Sequence, residues 1–150
     1  MVIMDQENKK KPQVLFLCTH NTARSQMAEA FLKKYAGDRF EVYSAGSEPT
    51  DINPYTRKVM AEAGLDMAGQ YSKGVKEYLG KINFAYVIIV CHIAEKTCPT
   101  AFHSISQQRL FWPLEDPVAF EGAEKEKLAK FREIRDQIDR RIQQWLNETK

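Results

Sequence analysis

Near its amino terminus the chain runs Val14-Leu15-Phe16-Leu17-Cys18-Thr19-His20-Asn21-Thr22-Ala23-Arg24-Ser25. The apolar run at its start predicts a strand over Gln13–Cys18 that is buried on both faces. A polar loop follows, and apolar residues at helical spacing without Gly or Pro predict a helix from Ala23 to Tyr35. The fold is therefore expected to begin with a strand, a short loop and a helix.

Two segments after the first helix continue this alternation. Aromatic and polar residues alternate over Phe40–Ala45, which predicts a second strand. Asn53 followed by Pro54 is a favourable helix start, because the amide can cap the first turn and the proline ring is preset for helical backbone. Gly64 marks the expected end of that second helix.

The second half of the chain contributes two more strands and a long helix. The β-branched run Phe84–Cys91 predicts the strongest strand, and Arg109–Trp112 predicts a weaker fourth one. Apolar residues at steps of three and four then predict an amphipathic helix of about seven turns. Its apolar positions are Leu128, Phe131, Ile134, Ile138, Ile142 and Trp145. Strands alternating with helices predict an α/β fold, a four-stranded parallel sheet flanked by helices on both faces.

Length and composition limit the class of protein. The chain has 150 residues, 43% hydrophobic and 28% charged, which favours one globular domain over residues 13–150 after a flexible polar tail at 1–12. A net charge of +2 gives no reason to expect a nucleic-acid partner. The longest apolar run, Phe84–Cys91, is far shorter than the ~18 residues needed to cross a bilayer. The polar start and three cysteines favour a reducing, cytoplasmic compartment.

Cys18 and Arg24 form the first candidate site. They flank the loop after the first strand, the place where open α/β sheets bind ligands. Inward backbone N–H groups and the helix N-terminus can hold a tetrahedral oxyanion there, and Arg24 adds a planar fork for two of its oxygens. The same field favours the thiolate form of Cys18, to which Ser25 could donate while Asn21 braces the loop.

The residues expected to surround the oxyanion are Thr19, His20, Asn21, Thr22, Ala23, Arg24 and Ser25. Spacing alone also fits a buried structural cysteine beside a surface arginine. His20 is expected to be a loop residue, since a thiolate made by this field needs no separate base.

The segment from Val14 to Glu29 resembles the phosphate loop of arsenate reductases built on the low-molecular-weight tyrosine phosphatase fold. Ser44-Ala45-Gly46 and Glu115-Asp116-Pro117 also resemble that family, so the similarity extends from about Val14 to Leu146. The resemblance implies that Cys18 attacks, Arg24 clamps the anion and Asp116 is the acid on a mobile loop. Without it, an Asp-Pro pair more often marks only a turn.

Two further cysteines form the second candidate site. Cys91 closes the third strand, so it should lie at the same sheet edge as Cys18, and Cys98 follows seven residues later. The resemblance implies a relay in which Cys91 attacks Cys18 as arsenite leaves and Cys98 then attacks Cys91. The resulting disulfide would face an external thiol donor, thioredoxin or glutaredoxin.

Simpler interpretations of these cysteines remain open. Cys91 could be one more small apolar residue at a strand end. Cys91, His92, Cys98 and His103 could bind zinc, although their spacing fits none of the usual structural patterns, and no metal site is predicted.

The main alternative function is a phosphotyrosine phosphatase or other phosphomonoesterase, because Cys18, Arg24 and Asp116 would serve phosphate transfer equally well. Phosphatases of this kind usually have aromatic residues after the second strand and after the catalytic Asp-Pro. This chain has Ser47-Glu48-Pro49-Thr50 and Val118 there, which favours the reductase. A non-catalytic oxyanion sensor or redox-switch module would need the loop that binds the anion but neither Asp116 nor a resolving pair of cysteines.

No cofactor is expected apart from the external thiol reductant. Some arsenate reductases of this type hold a monovalent cation near the positions of Asn21, Glu29 and Ser44. Here Lys73 stands where such members can carry an acid, so the resemblance leaves that cation in doubt.

Overall fold

Four parallel strands form one sheet in the computed structural model, which describes residues 11–78, 80–91 and 106–149. The strands are β1 (Gln13–Cys18), β2 (Glu41–Gly46), β3 (Phe84–Ile89) and β4 (Ser106–Phe111), and their order in the sheet is β2-β1-β3-β4. The α-helices of the described part are α1 (Arg24–Ala36), α2 (Pro54–Glu62) and α3 (Glu124–Glu148). The predicted α/β class and parallel sheet are confirmed.

Strand β1 lies at the centre of the core. Val14, Leu15, Phe16 and Leu17 are all fully buried, although neighbouring side chains of a strand point to opposite faces of the sheet. Both faces of the sheet are therefore covered at this strand, as its unbroken apolar run predicts. This burial fixes the position of Cys18 at the strand's carboxyl end.

Helix α3 buries the apolar stripe that the sequence predicts. All six predicted positions, from Leu128 to Trp145, are buried. The Trp145 ring lies 5.4 Å from that of Phe40 and 5.2 Å from that of Tyr86, distances typical of favourable aromatic pairs. At the amino end of the helix, the Ala123 N–H donates to the Glu126 carboxylate at 3.1 Å.

Helix α2 begins at the predicted capping residue. The Asn53 side chain accepts a hydrogen bond from the Tyr55 N–H at 2.8 Å, and Pro54 occupies the first helical position. Gly64 follows the helix with φ of 80°, a left-handed conformation that glycine adopts without strain. The local signals for both ends of this helix are confirmed.

The boundaries of three predicted strands are wrong. β2 runs Glu41–Gly46, one residue later than the predicted Phe40–Ala45. β3 ends at Ile89 rather than Cys91, because the ladders with β1 and β4 both end at that residue. β4 begins at Ser106 rather than Arg109 and ends before Trp112. The first half of β4 is polar, so a search for apolar runs does not detect it as a strand.

The proposed tail, residues 1–12, lies mostly outside the described residues. Within the described ranges, none of the helices combines the length and apolar character needed to span a membrane.

Candidate active site

The loop between β1 and α1 is held from outside through its carbonyl groups. The carbonyls of Cys18, Thr19 and His20 accept hydrogen bonds from the N–H groups of Ser47, Glu48 and Thr50, at 3.2, 2.8 and 3.0 Å. The next two carbonyls are also bonded. Asn21 accepts from Gln26 and Ser72 side chains, and Thr22 accepts from the Asn53 N–H and the Thr56 hydroxyl.

This outward pattern determines where the loop N–H groups point. In a trans peptide the C=O and the following N–H point in opposite directions. The N–H groups of residues 19–23 are therefore turned away from the segments that hold the loop, and the Asn21 N–H donates to the Cys18 sulfur at 3.3 Å. Converging N–H groups at a helix N-terminus form a cradle for a tetrahedral anion.

Gly46, the last residue of β2, allows the loop to pass directly over the neighbouring strand. A Cβ atom at this position would lie 2.6 Å from the Thr19 carbonyl oxygen and 2.9 Å from the Asn21 nitrogen. Both distances are shorter than real contacts of such atoms. Only glycine therefore fits beneath the loop in this geometry.

Cys18 is buried, with 2% of its surface exposed, and two polar groups face its sulfur. One is the Asn21 N–H, and the other is the Ser25 hydroxyl, 2.9 Å away. The Ser25 oxygen accepts a hydrogen bond from Asn21 Nδ2 at 2.8 Å, so its own hydrogen is available for the sulfur. The Asn21 N–H and the Ser25 hydroxyl are therefore both placed to donate to the sulfur.

Asn21 organises this loop from an unusual backbone conformation. Its φ of 54° is the only positive value among non-glycine residues of the described chain, and asparagine tolerates this region better than most residues. Its Oδ1 accepts from Gln26 Nε2 and from the Lys73 N–H, at 2.8 and 2.9 Å. These bonds fix the amide so that Nδ2 donates to Ser25 and to Ser44.

Arg24 and Asp116 meet above the start of α1. Arg24 is 3% exposed, and its Nη1 donates to the Leu114 carbonyl at 3.0 Å. Its Nη2 lies 3.6 Å from Asp116 Oδ2. The other Asp116 oxygen accepts from the Val118 N–H at 2.9 Å and caps a short helical turn, Pro117–Ala119.

Cys91 lies at the same edge of the sheet as Cys18. It follows β3, which is parallel to β1, and the Val90 N–H just before it donates to the Leu17 carbonyl at 2.9 Å. Cys91 is fully buried, and both it and Cys18 are thiols. Cys98 lies outside the described residues, so the predicted relay partner of Cys91 is not located.

Lys73 occupies the interior next to the loop. Its side chain is 5% exposed and its Nζ lies 3.7 Å from Glu29 Oε1, whose side chain is also buried. Nζ donates to the Tyr71 carbonyl at 2.8 Å and lies 3.5 Å from Ser44 Oγ. Burial lowers the pKa of Lys73, and the nearby Glu29 charge opposes that change.

Within the described ranges, no group of three or more His, Cys, Asp or Glu side chains is arranged to hold a metal ion. Three members of the alternative zinc set, His92, Cys98 and His103, lie outside those ranges, so that alternative stays untested. His20 lies at the loop with its Nδ1 2.9 Å from the Glu48 carbonyl oxygen.

Three features of the site were missed by sequence reasoning. Gly46 was noted only as part of a matching tripeptide, although its missing side chain admits the loop. Gln26 lies within the segment that resembles the family, but the sequence indicates no role for its amide, which binds Asn21. The Leu114 carbonyl that anchors Arg24 belongs to the backbone and leaves no signal in a side-chain pattern.

The chain is similar to proteins of one known family in sequence and in structure. The family model for low molecular weight phosphotyrosine protein phosphatase matches residues 13–150. An arsenate reductase of Halalkalibacterium halodurans is 42% identical over 133 residues, which cover 88% of this chain and 93% of that protein.

Two solved structures have the same fold. One, described as an arsenate reductase in the phosphate binding state, has a TM-score of 0.76 and 28% identity, covering 93% of this chain and 99% of the other. The thioredoxin-dependent arsenate reductase of Corynebacterium glutamicum has a TM-score of 0.69 and 28% identity, covering 98% of this chain and 66% of the other. The chain belongs to the low molecular weight phosphotyrosine protein phosphatase family.

Proposed function

We propose that the protein reduces arsenate to arsenite, with Cys18 as the nucleophile. The observation that carries the proposal is the environment of its sulfur, which faces the Ser25 hydroxyl and the Asn21 N–H within a cradle of inward N–H groups. The similarity to arsenate reductases over 88% of the chain supports the choice of substrate.

In the first step the Cys18 thiolate attacks the arsenic atom of bound arsenate. A sulfur–arsenic bond forms, and one arsenic–oxygen bond breaks as the oxygen leaves as water. Asp116 supplies a proton to that oxygen, since expelling hydroxide near neutral pH needs a positioned acid. Arg24 and the loop N–H groups hold the charged oxygens during the exchange.

In the second step the Cys91 thiolate attacks the Cys18 sulfur. A disulfide forms, the sulfur–arsenic bond breaks, and its electron pair remains on arsenic. Arsenic is thereby reduced from the +5 to the +3 state and leaves as arsenite, while the two thiols supply both electrons. The position of Cys91 beyond β3, at the carboxyl edge shared with Cys18, supports this assignment.

In the third step Cys98 attacks Cys91, which forms the Cys91–Cys98 disulfide and returns Cys18 to the thiolate. An external dithiol, thioredoxin in this proposal, then reduces that disulfide. The similarity to a thioredoxin-dependent arsenate reductase supports this donor. Such a cycle needs reduced thiols, which supports a cytoplasmic location, and it needs no resident metal or organic cofactor.

The test is arsenate-dependent oxidation of thioredoxin, followed through NADPH consumption by thioredoxin reductase with arsenite measured as product. The matched control is Cys18→Ser, which should remove all but about a thousandth of the rate while leaving the fold intact. A parallel reaction with glutaredoxin identifies the donor. If no arsenite formed with thioredoxin and none with glutaredoxin, the proposal would be contradicted.

Phosphate ester hydrolysis is the second candidate, because Cys18, Arg24 and Asp116 are the groups that such a reaction uses. The relative in the phosphate binding state supports oxyanion binding of this kind. Val118, next to the Asp-Pro pair, is 41% exposed and offers no aromatic ring to a substrate. Hydrolysis of a small aryl phosphate in the absence of thioredoxin measures this activity directly.

A further inference from the structure

A buried ion pair lies behind the loop between β1 and α1 and takes no part in the chemistry proposed above. Lys73 and Glu29 are both almost fully buried, with side-chain exposures of 5% and 6%. Taking two charges out of water is costly, and in many proteins the attraction between the two ions does not repay that cost in stability. A buried pair next to an active site therefore invites a functional explanation.

A continuous chain of hydrogen bonds joins this pair to the nucleophile. The Ser44 hydroxyl donates to Glu29 Oε1, and Asn21 Nδ2 donates to Ser44 Oγ at 3.0 Å. The second Nδ2 hydrogen reaches Ser25 Oγ at 2.8 Å, and Ser25 in turn faces the Cys18 sulfur at 2.9 Å.

The Glu29 carboxylate fixes the direction of the Ser44 bond, and the Asn21 amide, held at Oδ1 by Gln26 and the Lys73 N–H, fixes the direction of the others. An ionised Glu29 can only accept, so Ser44 must donate to it and accept from Asn21. Asn21 then donates to Ser25, whose hydrogen is left to point at the sulfur. An Asn21 amide flipped the other way would present Oδ1 to Ser25 and draw the Ser25 hydrogen away from Cys18.

Lys73 is the cation that touches this chain from inside the protein. Its Nζ lies among three oxygens, those of the Tyr71 carbonyl, Ser44 and Glu29, at 2.8, 3.5 and 3.7 Å. Its backbone N–H donates to Asn21 Oδ1 at 2.9 Å. The same residue therefore holds both Asn21 and the carboxylate that orients Ser44.

We infer that Lys73 is a positioning residue for Cys18, a tethered monovalent cation that fixes Glu29 and Ser44 and, through Asn21, aims the Ser25 hydroxyl at the sulfur. The inference rests on the proposed role of Cys18 as nucleophile. It adds that the wild-type enzyme carries its own cation, so exchanging potassium for sodium at constant ionic strength leaves kcat/KM unchanged.

Lys33 provides a matched control, because it pairs with the same carboxylate from the solvent side. It contacts Glu29 Oε2, and its side chain is 49% exposed. Lys33 and Lys73 therefore carry the same charge and share one partner, but only the Lys73 ammonium lies beside Ser44. If Lys73 served merely to balance the charge of Glu29, removal of either lysine would have similar effects.

The experiment measures alkylation of Cys18 by iodoacetamide at neutral pH, in a Cys91→Ser/Cys98→Ser background where Cys18 is the only thiol. This assay uses neither arsenate nor thioredoxin, so it remains informative if the proposed reductase activity fails. Lys73→Ala should slow alkylation about 10- to 100-fold, comparable with the loss of an outer partner that orients a metal ligand. Lys33→Ala should stay within about twofold of the background protein.

Rescue by added cations separates positioning from a general loss of structure. In Lys73→Ala the oxygens of Tyr71, Ser44 and Glu29 would face a space that a small cation can fill, and oxygen ligands suit such ions. Potassium, ammonium or methylammonium should restore part of the alkylation rate in Lys73→Ala and leave Lys33→Ala unchanged. Failure of all three cations to raise the Lys73→Ala rate would overturn the inference.

A second variant covers the case in which Lys73→Ala does not fold, since removing one partner leaves a buried charge. Glu29→Gln/Lys73→Met removes both charges, so its unfolding temperature should approach that of the background protein. Its alkylation should nevertheless remain slow and insensitive to cations. Recovery of the full rate in this double variant, or an equal loss in Lys33→Ala, would show that Lys73 only balances Glu29.

Discussion

The Arg24 guanidinium lies 3.6 Å from the Asp116 carboxylate, although one residue starts α1 and the other follows β4 at the far side of the sheet. Arg24 is also bonded to the Leu114 carbonyl, and the Leu114 N–H donates to the Cys91 carbonyl at 3.0 Å. The β1–α1 loop, the segment that carries Leu114 and Asp116, and the end of β3 are therefore joined at one point.

The first prediction concerns Asp116 as the acid. Asp116→Asn keeps an oxygen for the Val118 N–H but cannot deliver a proton, so formation of the arsenic adduct should slow by roughly 10²- to 10⁴-fold. Single-turnover kinetics with arsenate measure that step. Glu115→Gln removes the neighbouring carboxylate, which is half exposed and pairs with Lys130, and should change the rate little. An adduct that forms at the wild-type rate in Asp116→Asn would remove the acid role.

The second prediction concerns the shape of the Arg24 side chain rather than its charge. Arg24→Lys retains a cation but loses the planar fork that can bind the Leu114 carbonyl while gripping an anion. We expect KM for arsenate to rise and kcat to fall together, and we expect phosphate to compete more weakly. Steady-state kinetics with phosphate as inhibitor measure both effects. An unchanged kcat/KM would exclude Arg24 as the anion clamp.

The third prediction concerns the close approach of the loop to Gly46. In Gly46→Ala the new Cβ would lie 2.6 Å from the Thr19 carbonyl oxygen, so the loop must move and its N–H groups can no longer converge. Phosphate affinity measured by calorimetry should fall at least tenfold, an order-of-magnitude expectation for a displaced anion cradle.

Gly74 is the control for that substitution. It pairs with Gly46 in an isolated bridge, its φ of −86° suits any residue, and an added Cβ would meet only Pro49 atoms at 3.5 Å or more. Gly74→Ala should bind phosphate as the wild type does. Equal losses in both variants would point to a general effect on the sheet edge.

The part of the fold nearest the active site could be predicted because its signals are local. The apolar run before Cys18, the helical spacing after Ala23 and the Asn53-Pro54 start each lie within a few residues of the feature they predict. β4 was placed poorly because its first residues are polar at the edge of the sheet. An apolar run therefore marks only its second half.

The assembly of the site depends on contacts between distant segments, which no single stretch of sequence contains. The sequence named Asp116 through a resemblance and could not bring it to Arg24. Likewise, Lys73 was noted as a departure from relatives, but its contact with Ser44 depends on how the chain after α2 returns to the sheet. Such contacts follow from topology and packing rather than from residue spacing.

The fourth prediction concerns acid stability and the link between α2 and α3. The hydrogen bonds from Arg132 are the main cause that lowers the pKa of Glu62 from 4.5 to about 2, with Arg135 adding to the effect. A lowered pKa means that this link is present above about pH 4.5 and is lost as the pH falls toward about 2.

Denaturant unfolding at several pH values tests whether the Glu62 contribution to the free energy of unfolding is lost as the pH falls. Between about pH 5 and pH 3 the wild type should lose more unfolding free energy than Glu62→Gln, because the variant has no carboxylate to protonate. The difference should be small, since the side chains of Arg132 and Glu62 are 42% and 34% exposed and water screens the pair. Glu121→Gln, at an exposed position before α3, should follow the wild-type curve. Parallel curves for wild type and Glu62→Gln would exclude this contribution.

The last prediction separates a reductase from a phosphatase through Cys98, which in the proposed relay passes oxidation to an external donor and which ester hydrolysis would not use. Cys98→Ser should hydrolyse a small aryl phosphate at the wild-type rate, whatever that rate is, because Cys18, Arg24 and Asp116 are unchanged. With arsenate it should release one equivalent of arsenite and then stop with Cys18 joined to Cys91, since the disulfide can no longer move to Cys98. Peptide mapping of the non-reduced protein would identify that pair. Multiple turnovers of Cys98→Ser with thioredoxin would instead require that the donor attacks the Cys18–Cys91 disulfide directly, without the third thiol.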